Sequence, residues 1–415
     1  MKVLLIGSGA REHALAYSLK SDSQVSELHI APGNPGMKDL ATLHEVNQND
    51  PKAVTELARS VGAELVVIGP EAPLVAGVAD SIRAIGIPCF GPSRAAAQIE
   101  GSKSFAKEIM ASAGVPTAQS FTCSSREEIE GALDSFSAPY VVKNDGLAAG
   151  KGVVVTNDRE AALKHALDCG KVVIEEFLDG PEISLFGISD GVTVLGMEPA
   201  QDFKRVFDND EGANTGGMGA YSPLPWAPKN IIEQTEREVL LPTIRELAKR
   251  NMPFVGLLYA GLALTSRGLR VIEFNARFGD PETEVLLPRL QTPLAQLLFA
   301  AASGTLHEHP PLKWSSDSAV TVVLASEGYP QEPQIGREIT GIQESTNTRI
   351  FHSGTKFESG RLLSSGGRVL AVTGIGASLA SARERSYTAI ANISLSGSHY
   401  RKDIALKASI NEKGA

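Results

Sequence analysis

Cysteine is scarce in this 415-residue chain: Cys89, Cys123 and Cys169 are the three present, odd in number and far apart. Such spacing argues against a disulfide framework and a zinc site, and it suits a reducing compartment. The eight histidines are dispersed too and make no metal-ligating cluster. No apolar run approaches the roughly 20 residues of a bilayer-spanning helix, and Met1–Gly9 reads as a strand and loop rather than a signal peptide. Positive charge is in deficit: the net charge of −9 leaves no basic footprint for nucleic acid. Internal repeats and low-complexity tracts are not evident. What is there is an ordinary composition, 42% hydrophobic and 21% charged, in a chain long enough for two or three domains. The expected setting is the cytoplasm, with small-molecule partners rather than nucleic acid or a membrane.

The most informative stretch is Val271–Glu284. Val271–Phe278 predicts a strand in which Val271, Ile272, Phe274, Ala276 and Phe278 can face a core, while Glu273, Asn275 and Arg277 share the other face. A carboxylate beside an amide oxygen suits Mg²⁺, which keeps few protein ligands and shares the rest with phosphates. The arginine next to them could clamp a carboxylate or phosphate with its planar fork. An edge strand with a solvated polar face is the plainer alternative. Phe254–Leu264 is expected to pair with Leu269–Phe278 across a Thr265–Gly268 turn.

Toward the N-terminus, apolar strands at Lys2–Ile6, Leu28–Ile30 and Leu65–Ile68 alternate with helical stretches, which predicts a doubly wound parallel sheet. Ligands of such sheets bind at the carboxyl ends of strands, so the loops Gly7–Arg11, Pro32–Asn34 and Gly69–Pro73 should converge. Gly7-x-Gly9-x-x-Glu12 lacks the third glycine of a dinucleotide fingerprint, which disfavours a nicotinamide dehydrogenase. A phosphate on the helix N-terminus, helped by Arg11, and a plain tight turn are the two readings left.

In the middle, Ser93–Ala113 reads as one long helix that contains Lys103. The loop Asn144–Gly152 joins strand to strand, so it is not a Walker A loop. It reads as a glycine-rich hairpin that folds over phosphates, offering Gly150, Lys151 and Gly152, with Lys143 just before it. Val172–Phe177 is a strand carrying Glu175 and Glu176. With Phe177 and Leu178, its backbone could read an adenine ring while Glu182 accepts from ribose hydroxyls. Asp202 and Lys204 mix charge signs in a small space, and Asn214-Thr215-Gly216-Gly217 allows the backbone to approach a ligand closely. Leu286–Ala302 has a helical pattern. Strands resume at Ser318, and a helix at Leu379–Ile393 lies near the end.

Taken together, GSGAREHAL, APGNPG, VVIGPEAPLVAGV, GSKSFAK, NDGLAAGKGV, IEEFLDG, NTGGMGAYSP, IEFNARFGDPETE, SGGRVLAVTG and RKDI span essentially the whole chain in order. The set resembles the glycinamide ribonucleotide synthetase family of the ATP-grasp superfamily. The resemblance implies a multidomain α/β and α+β fold. An N-terminal domain would cover residues 1–100, an ATP-grasp domain 101–317 with its flap at about 118–189, and a C-terminal domain 318–415. It implies ATP-dependent joining of glycine to 5-phosphoribosylamine through glycyl phosphate, by a monomer or weak homodimer. Glu273 and Asn275 would hold Mg²⁺, with Mn²⁺ an alternative, while Lys103 and Lys143 meet the phosphates. Glu175–Leu178 would line the adenine pocket and Glu182 would take the ribose. Arg277 and Asn214–Gly217, with Asp202, Lys204 and Asp280, would hold glycine and the acyl phosphate; Arg11, Asn34, Pro70 and Glu71 would position the ribose phosphate. Lys143, Asn275 and Arg277 are thus the expected catalytic residues. The chain departs from the family pattern at Asn144, commonly alanine, at Phe203, often histidine, and in a shorter segment from Val153 to Val172. The facing strand Phe254–Leu264 also carries no metal carboxylate. Another ATP-grasp ligase and a catalytically silent nucleotide-binding protein are the alternatives.

Overall fold

The computed structural model describes residues 1–147 and 152–412. At the N-terminus a five-stranded parallel sheet runs, edge to edge, Thr42–Leu43, Glu27–Pro32, Lys2–Gly7, Leu65–Ile68, Cys89–Phe90. Val3–Ile6 are all buried because helices cover both faces, which is why this strand reads as an apolar run rather than an alternation. The strand order reverses at Lys2–Gly7, and the loops expected to converge do so there. Gly33 N–H donates to the Gly7 carbonyl at 3.0 Å, and the Asn34 amide donates to the Ser8 carbonyl at 2.8 Å.

Ser120–Cys123, Val172–Glu175, Tyr140–Asn144 and Val153–Thr156 form a small four-stranded sheet. It packs with the helices Arg126–Ser135 and Arg159–Cys169 around its own core of Cys123, Ile129, Leu133, Val142 and Ile174. Gly150 and Lys151, expected to meet phosphates, lie outside the described residues. A third, antiparallel sheet runs Val194–Gly196, Glu182–Asp190, Val255–Thr265, Gly268–Asn275, and its last two strands make the expected hairpin.

Two helix expectations are corrected. Ser93–Ala113 is not one helix: Gln98–Gly101 and Lys103–Ala113 are separated at Ser102, whose backbone is extended (φ −141°, ψ 117°). Glycine is a poor helix former, and the Ser102 hydroxyl accepts from Phe105 N–H at 3.2 Å as an N-cap, so the chain restarts the helix there. Leu286–Ala302 likewise divides into Thr283–Leu286 and Leu294–Ser303, with Pro288 and Pro293 between them.

The fourth sheet runs Gln201–Asp202, Gly219–Ser222, Ser318–Ala325, Arg368–Gly376, Thr348–His352. Strands from both sides of residue 318 thus share one hydrogen-bonded sheet, so the C-terminal region fixes the loops that carry Asp202 and Asn214–Gly217. The helix Leu379–Ala391 lies so close to this sheet that a Cβ at Gly374 would collide with the Ala382 carbonyl. No helix among the described residues is long and apolar enough to cross a membrane.

A histidine pair ties this last sheet to the first. His352 N–H donates to His13 Nδ1 at 2.8 Å, and the Asn34 amide donates to the His352 carbonyl at 2.8 Å. Burial, with His352 adding to it, lowers the His13 pKa to about 3, and burial lowers His352 to about 4. Both rings therefore stay neutral in the folded chain, whereas the unfolded chain binds protons below the ordinary 6.5. Their contribution to stability is complete above pH 6.5 and is lost as pH falls toward 4. Thermal unfolding between pH 7.5 and 5 should show a shallower loss of Tm for His352→Gln than for the parent; equal slopes would refute this account.

Candidate active site

The Gly268–Asn275 strand owes its two-faced character to a bulge. Gly261 pairs with Glu273 but Leu262 pairs with Val271, so Ile272 is an extra residue in the ladder. The pleat resets there: Val271 and Phe274 are both buried, while Glu273 and Asn275 line the cleft. The Ile272 carbonyl accepts from Lys143 Nζ at 2.9 Å. The strand ends at Asn275 rather than at Phe278 as expected. Ala276 N–H leaves the ladder and donates to the Glu100 carboxylate at 2.7 Å. Arg277 keeps its expected place beside Asn275, its Nη2 3.3 Å from Asn275 Oδ1.

Several cations gather around Glu273. Lys204 Nζ is 3.7 Å from Glu273 and 3.6 Å from Glu182, bringing together residues the sequence sets far apart. Lys103 opens its helix and donates to the Gly146 carbonyl at 3.0 Å. Withdrawal from water opposes the Glu273 charge, but Lys204, Lys143, Lys103 and Arg277 outweigh it and hold its pKa below the usual range. Lys103 is itself lowered, chiefly by loss of water. Asp202 behaves oppositely: loss of water, reinforced by Glu282, Glu182 and Glu273 and opposed by Lys204, pushes its pKa up to about 7.

Glu175 is not the solvated strand-end carboxylate usual at such positions. It is buried between Lys143, with which it makes a short ion pair, and Lys107 at 2.7 Å. Glu176 instead pairs with Arg267 at 2.8 Å and accepts from Gln119 N–H at 3.0 Å. Glu176, Phe177 and Leu178 lie outside regular structure, with Phe177 exposed, in the connection leading to Glu182. The Gly152 carbonyl accepts from Asn144 N–H at 2.7 Å. Asp145 anchors the other end: it accepts from Ser104 N–H at 3.1 Å and the Ser102 hydroxyl at 3.0 Å, and pairs with Lys171 at 2.7 Å.

At the mouth of the parallel sheet, charges alternate. Arg277 lies 2.9 Å from Glu100 and 3.3 Å from Glu71, Glu71 lies 3.9 Å from Arg11, and Arg11 pairs with Glu12 at 2.5 Å. Loss of water would raise the Glu71 pKa, but Arg277 and Arg11 bring it down to about 2. Glu12 is buried and accepts from Gly9 N–H at 2.7 Å. Its side chain lies where a Cβ on Gly7 or Gly69 would stand, which accounts for those glycines and puts the chain's own carboxylate at the turn. Pro70 adjoins this crossing. Asn34 is turned inward, both amide hydrogens on backbone carbonyls and its oxygen accepting from Gly36 N–H at 3.0 Å.

The glycine run is braced from the C-terminal region. Arg368 donates to the Gly216 carbonyl at 2.7 Å and to the Asp280 carbonyl at 2.9 Å, and it pairs with the Asp280 carboxylate at 2.9 Å. Gly216 N–H donates to the Tyr329 hydroxyl at 3.2 Å. Gly217 N–H and the Lys204 carbonyl both bond to the Thr215 hydroxyl, and Asn214 ends the Glu211–Asn214 strand beside them. At Phe203 the ring lies under the Arg401 guanidinium, 4.9 Å away, so an apolar aromatic supports a buried cation there. Glu100, Lys107, Tyr329 and Arg368 are contributors that reading the sequence missed. The only signal for Arg368 is that it sits in the quoted SGGRVLAVTG stretch. Among the described residues, no three His, Cys, Asp or Glu side chains could together hold a metal ion. Glu273 with Asn275 is a two-oxygen set that would need phosphate oxygens to complete it.

Arg368→Met should loosen the 214–217 loop without touching Lys103 or Lys143. A lost charge-assisted contact is worth about 1.5–3 kcal/mol, so substrate use should fall by roughly tenfold or more while ATP affinity is kept. Titrating ATP and each substrate against the variant would check this; an equal loss of ATP affinity would refute it.

Three family descriptions match the chain in order: the phosphoribosylglycinamide synthetase N domain over residues 1–100, its ATP-grasp (A) domain over 101–283 and its C domain over 319–407. A phosphoribosylamine–glycine ligase of Streptomyces coelicolor is 60% identical over 413 residues, covering 98% of this chain and 99% of that protein. The crystal structure of the phosphoribosylamine–glycine ligase of Thermotoga maritima superposes with a TM-score of 0.85 at 33% identity, covering 98% of this chain and 100% of that one. A biotin carboxylase domain of Hydrogenobacter thermophilus 2-oxoglutarate carboxylase shares the fold, with a TM-score of 0.73 at 17% identity, over 96% of this chain and 91% of that one.

Proposed function

We propose a residue-level mechanism for this chain, which belongs to the phosphoribosylglycinamide synthetase family and is an ATP-dependent phosphoribosylamine–glycine ligase of purine biosynthesis. The observation that carries it is the convergence of Lys103, Lys143 and Lys204 on the Glu273–Asn275 strand end, one step from Arg277. Triphosphate binding would use Lys103, Lys143 and the hairpin residues Gly150, Lys151 and Gly152. The Glu175–Leu178 backbone would meet adenine, and Glu182 the ribose.

Glu273 and Asn275 fit a hard divalent cation by donor type: a carboxylate and an amide oxygen two residues apart on one face, each in contacts longer than 3 Å that leave lone pairs available. The ion, Mg²⁺ with Mn²⁺ as a substitute, would be held by Glu273 and Asn275 and would offset phosphate charge. The glycine carboxylate, held by Arg277 with Lys204 and the 214–217 backbone while Asp202 and Asp280 face the glycine ammonium, attacks the γ-phosphorus as the bond to ADP breaks. The amine of 5-phosphoribosylamine then attacks the carbonyl carbon of glycyl phosphate, phosphate leaves and the nitrogen loses a proton. Arg11, Pro70 and Glu71 would border the ribose phosphate of that amine, while Asn34, its amide spent on backbone groups, would hold the loop beside it rather than reach the ligand. The chain's part is alignment and charge neutralisation, with no protein nucleophile.

ADP formation should require glycine, 5-phosphoribosylamine and Mg²⁺ together, which omitting each in turn tests. Glu273→Gln keeps the size and removes the anionic ligand, so Mg²⁺-dependent turnover should fall by about a hundredfold or more, on the scale of a lost charge-stabilising group. Normal turnover in the folded variant would sink the metal assignment. Arg277→Ala should raise the glycine KM and leave ATP affinity unchanged.

A further inference from the structure

Arg277 lies two residues beyond Asn275, the last residue of its strand paired across the ladder, so backbone pairing does not orient it. Its anchor comes from another element. Glu100 stands near the end of the short Gln98–Gly101 helix, just before the break at Ser102. The break separates it from Lys103: in a continuous helix residues three apart would share one face. Here Lys103 reaches Gly146 while Glu100 reaches the strand end. One Glu100 oxygen accepts from Ala276 N–H at 2.7 Å, and the other lies 2.9 Å from Arg277 Nη2. A single carboxylate thus holds both the backbone preceding Arg277 and the guanidinium itself.

The two counter-ions of Arg277 differ in kind. The Glu100 side chain is 7% exposed and its contact is short; the Glu71 side chain is 32% exposed, 3.3 Å away and shared with Arg11. An incoming anion can compete with the more exposed Glu71, whereas the buried Glu100 is shielded from it. We propose that Glu100 is a positioning residue for glycine activation: it presents Arg277 to the glycine carboxylate and steadies Asn275 through the same guanidinium. This rests on the reading of Arg277 as the carboxylate-binding residue.

The test is steady-state ADP formation by the full-length enzyme, varying glycine at saturating ATP, Mg²⁺ and 5-phosphoribosylamine. Glu100→Gln retains an acceptor for Ala276 N–H and removes the charge facing Arg277. The glycine KM should rise about tenfold, within the range of coupled buried neighbours, with the ATP KM unchanged. In the Arg277→Ala background the same substitution should add little, because its effect acts through the missing guanidinium. If Arg277→Ala impairs glycine use and Glu100→Gln multiplies that loss, the positioning role is overturned while the role of Arg277 stands. If Arg277→Ala leaves glycine use intact, the underlying reading fails, and the proposal with it. A rise in both KM values together would mark Glu100 as merely structural. Should Glu100→Gln fail to fold by thermal melting, Glu100→Asp decides: a raised glycine KM with normal ATP KM supports the proposal, and a parental glycine KM overturns it.

Discussion

Glu175 sits between Lys143 and Lys107, and Arg277 between Glu71 and Glu100. These sandwiches let the cleft hold many charges. Taking one ion out of water costs several kcal/mol, and opposite charge offsets this only where geometry is good. A site for a triphosphate needs several cations close together, and those cations repel one another until the ligand arrives. Carboxylates contributed by neighbouring elements relieve that repulsion. At the centre the pairing is looser: Lys204 stands 3.6 Å and 3.7 Å from its two carboxylates, and Lys103 bonds a backbone carbonyl rather than a side chain.

That constraint explains why the site is spread over so many elements. Lys103 starts a helix, Lys143 lies near the end of a strand of the small sheet, Lys204 follows a strand of the last sheet, and Glu273 belongs to the antiparallel hairpin. Each side chain is carried on its own rigid support, so like charges face one point without sharing a backbone segment. The glycine run 214–217 is held the same way, by Arg368 and Tyr329 from the C-terminal region. Because Gln201–Asp202 and Gly219–Ser222 pair into the sheet that holds Ser318–Ala325 and Arg368–Gly376, both ends of the loop between them are fixed to that sheet.

Several features were legible because they are local. Continuous apolar runs bounded by glycine marked the parallel strands, and Thr265–Gly268 marked the hairpin. The polar face Glu273, Asn275 and Arg277 followed from strand periodicity, although simple alternation would have put Val271 on the side of Glu273. The bulge at Ile272 resolves that conflict, and a bulge depends on the register against Gly261–Leu262, which one strand alone does not contain. The break at Ser102 had a local signal, Gly101 followed by a good N-cap, that the surrounding apolar pattern outweighed.

By itself the sequence determined the alternating strand–helix order of the first domain, the chemical character of the acidic strand and, through motifs in order, the family. Those follow from short-range sterics, periodicity and residue type. Tertiary structure alone decided which charges meet. Arg277 and Glu71 stand 206 positions apart, and Arg368 and Gly216 stand 152 apart. It also turned Asn34 and Glu12 inward to serve the backbone, and it joined the middle of the chain to its end in one sheet. Pairing across such distances depends on how separate elements pack, and packing is a property of the whole core rather than of any segment.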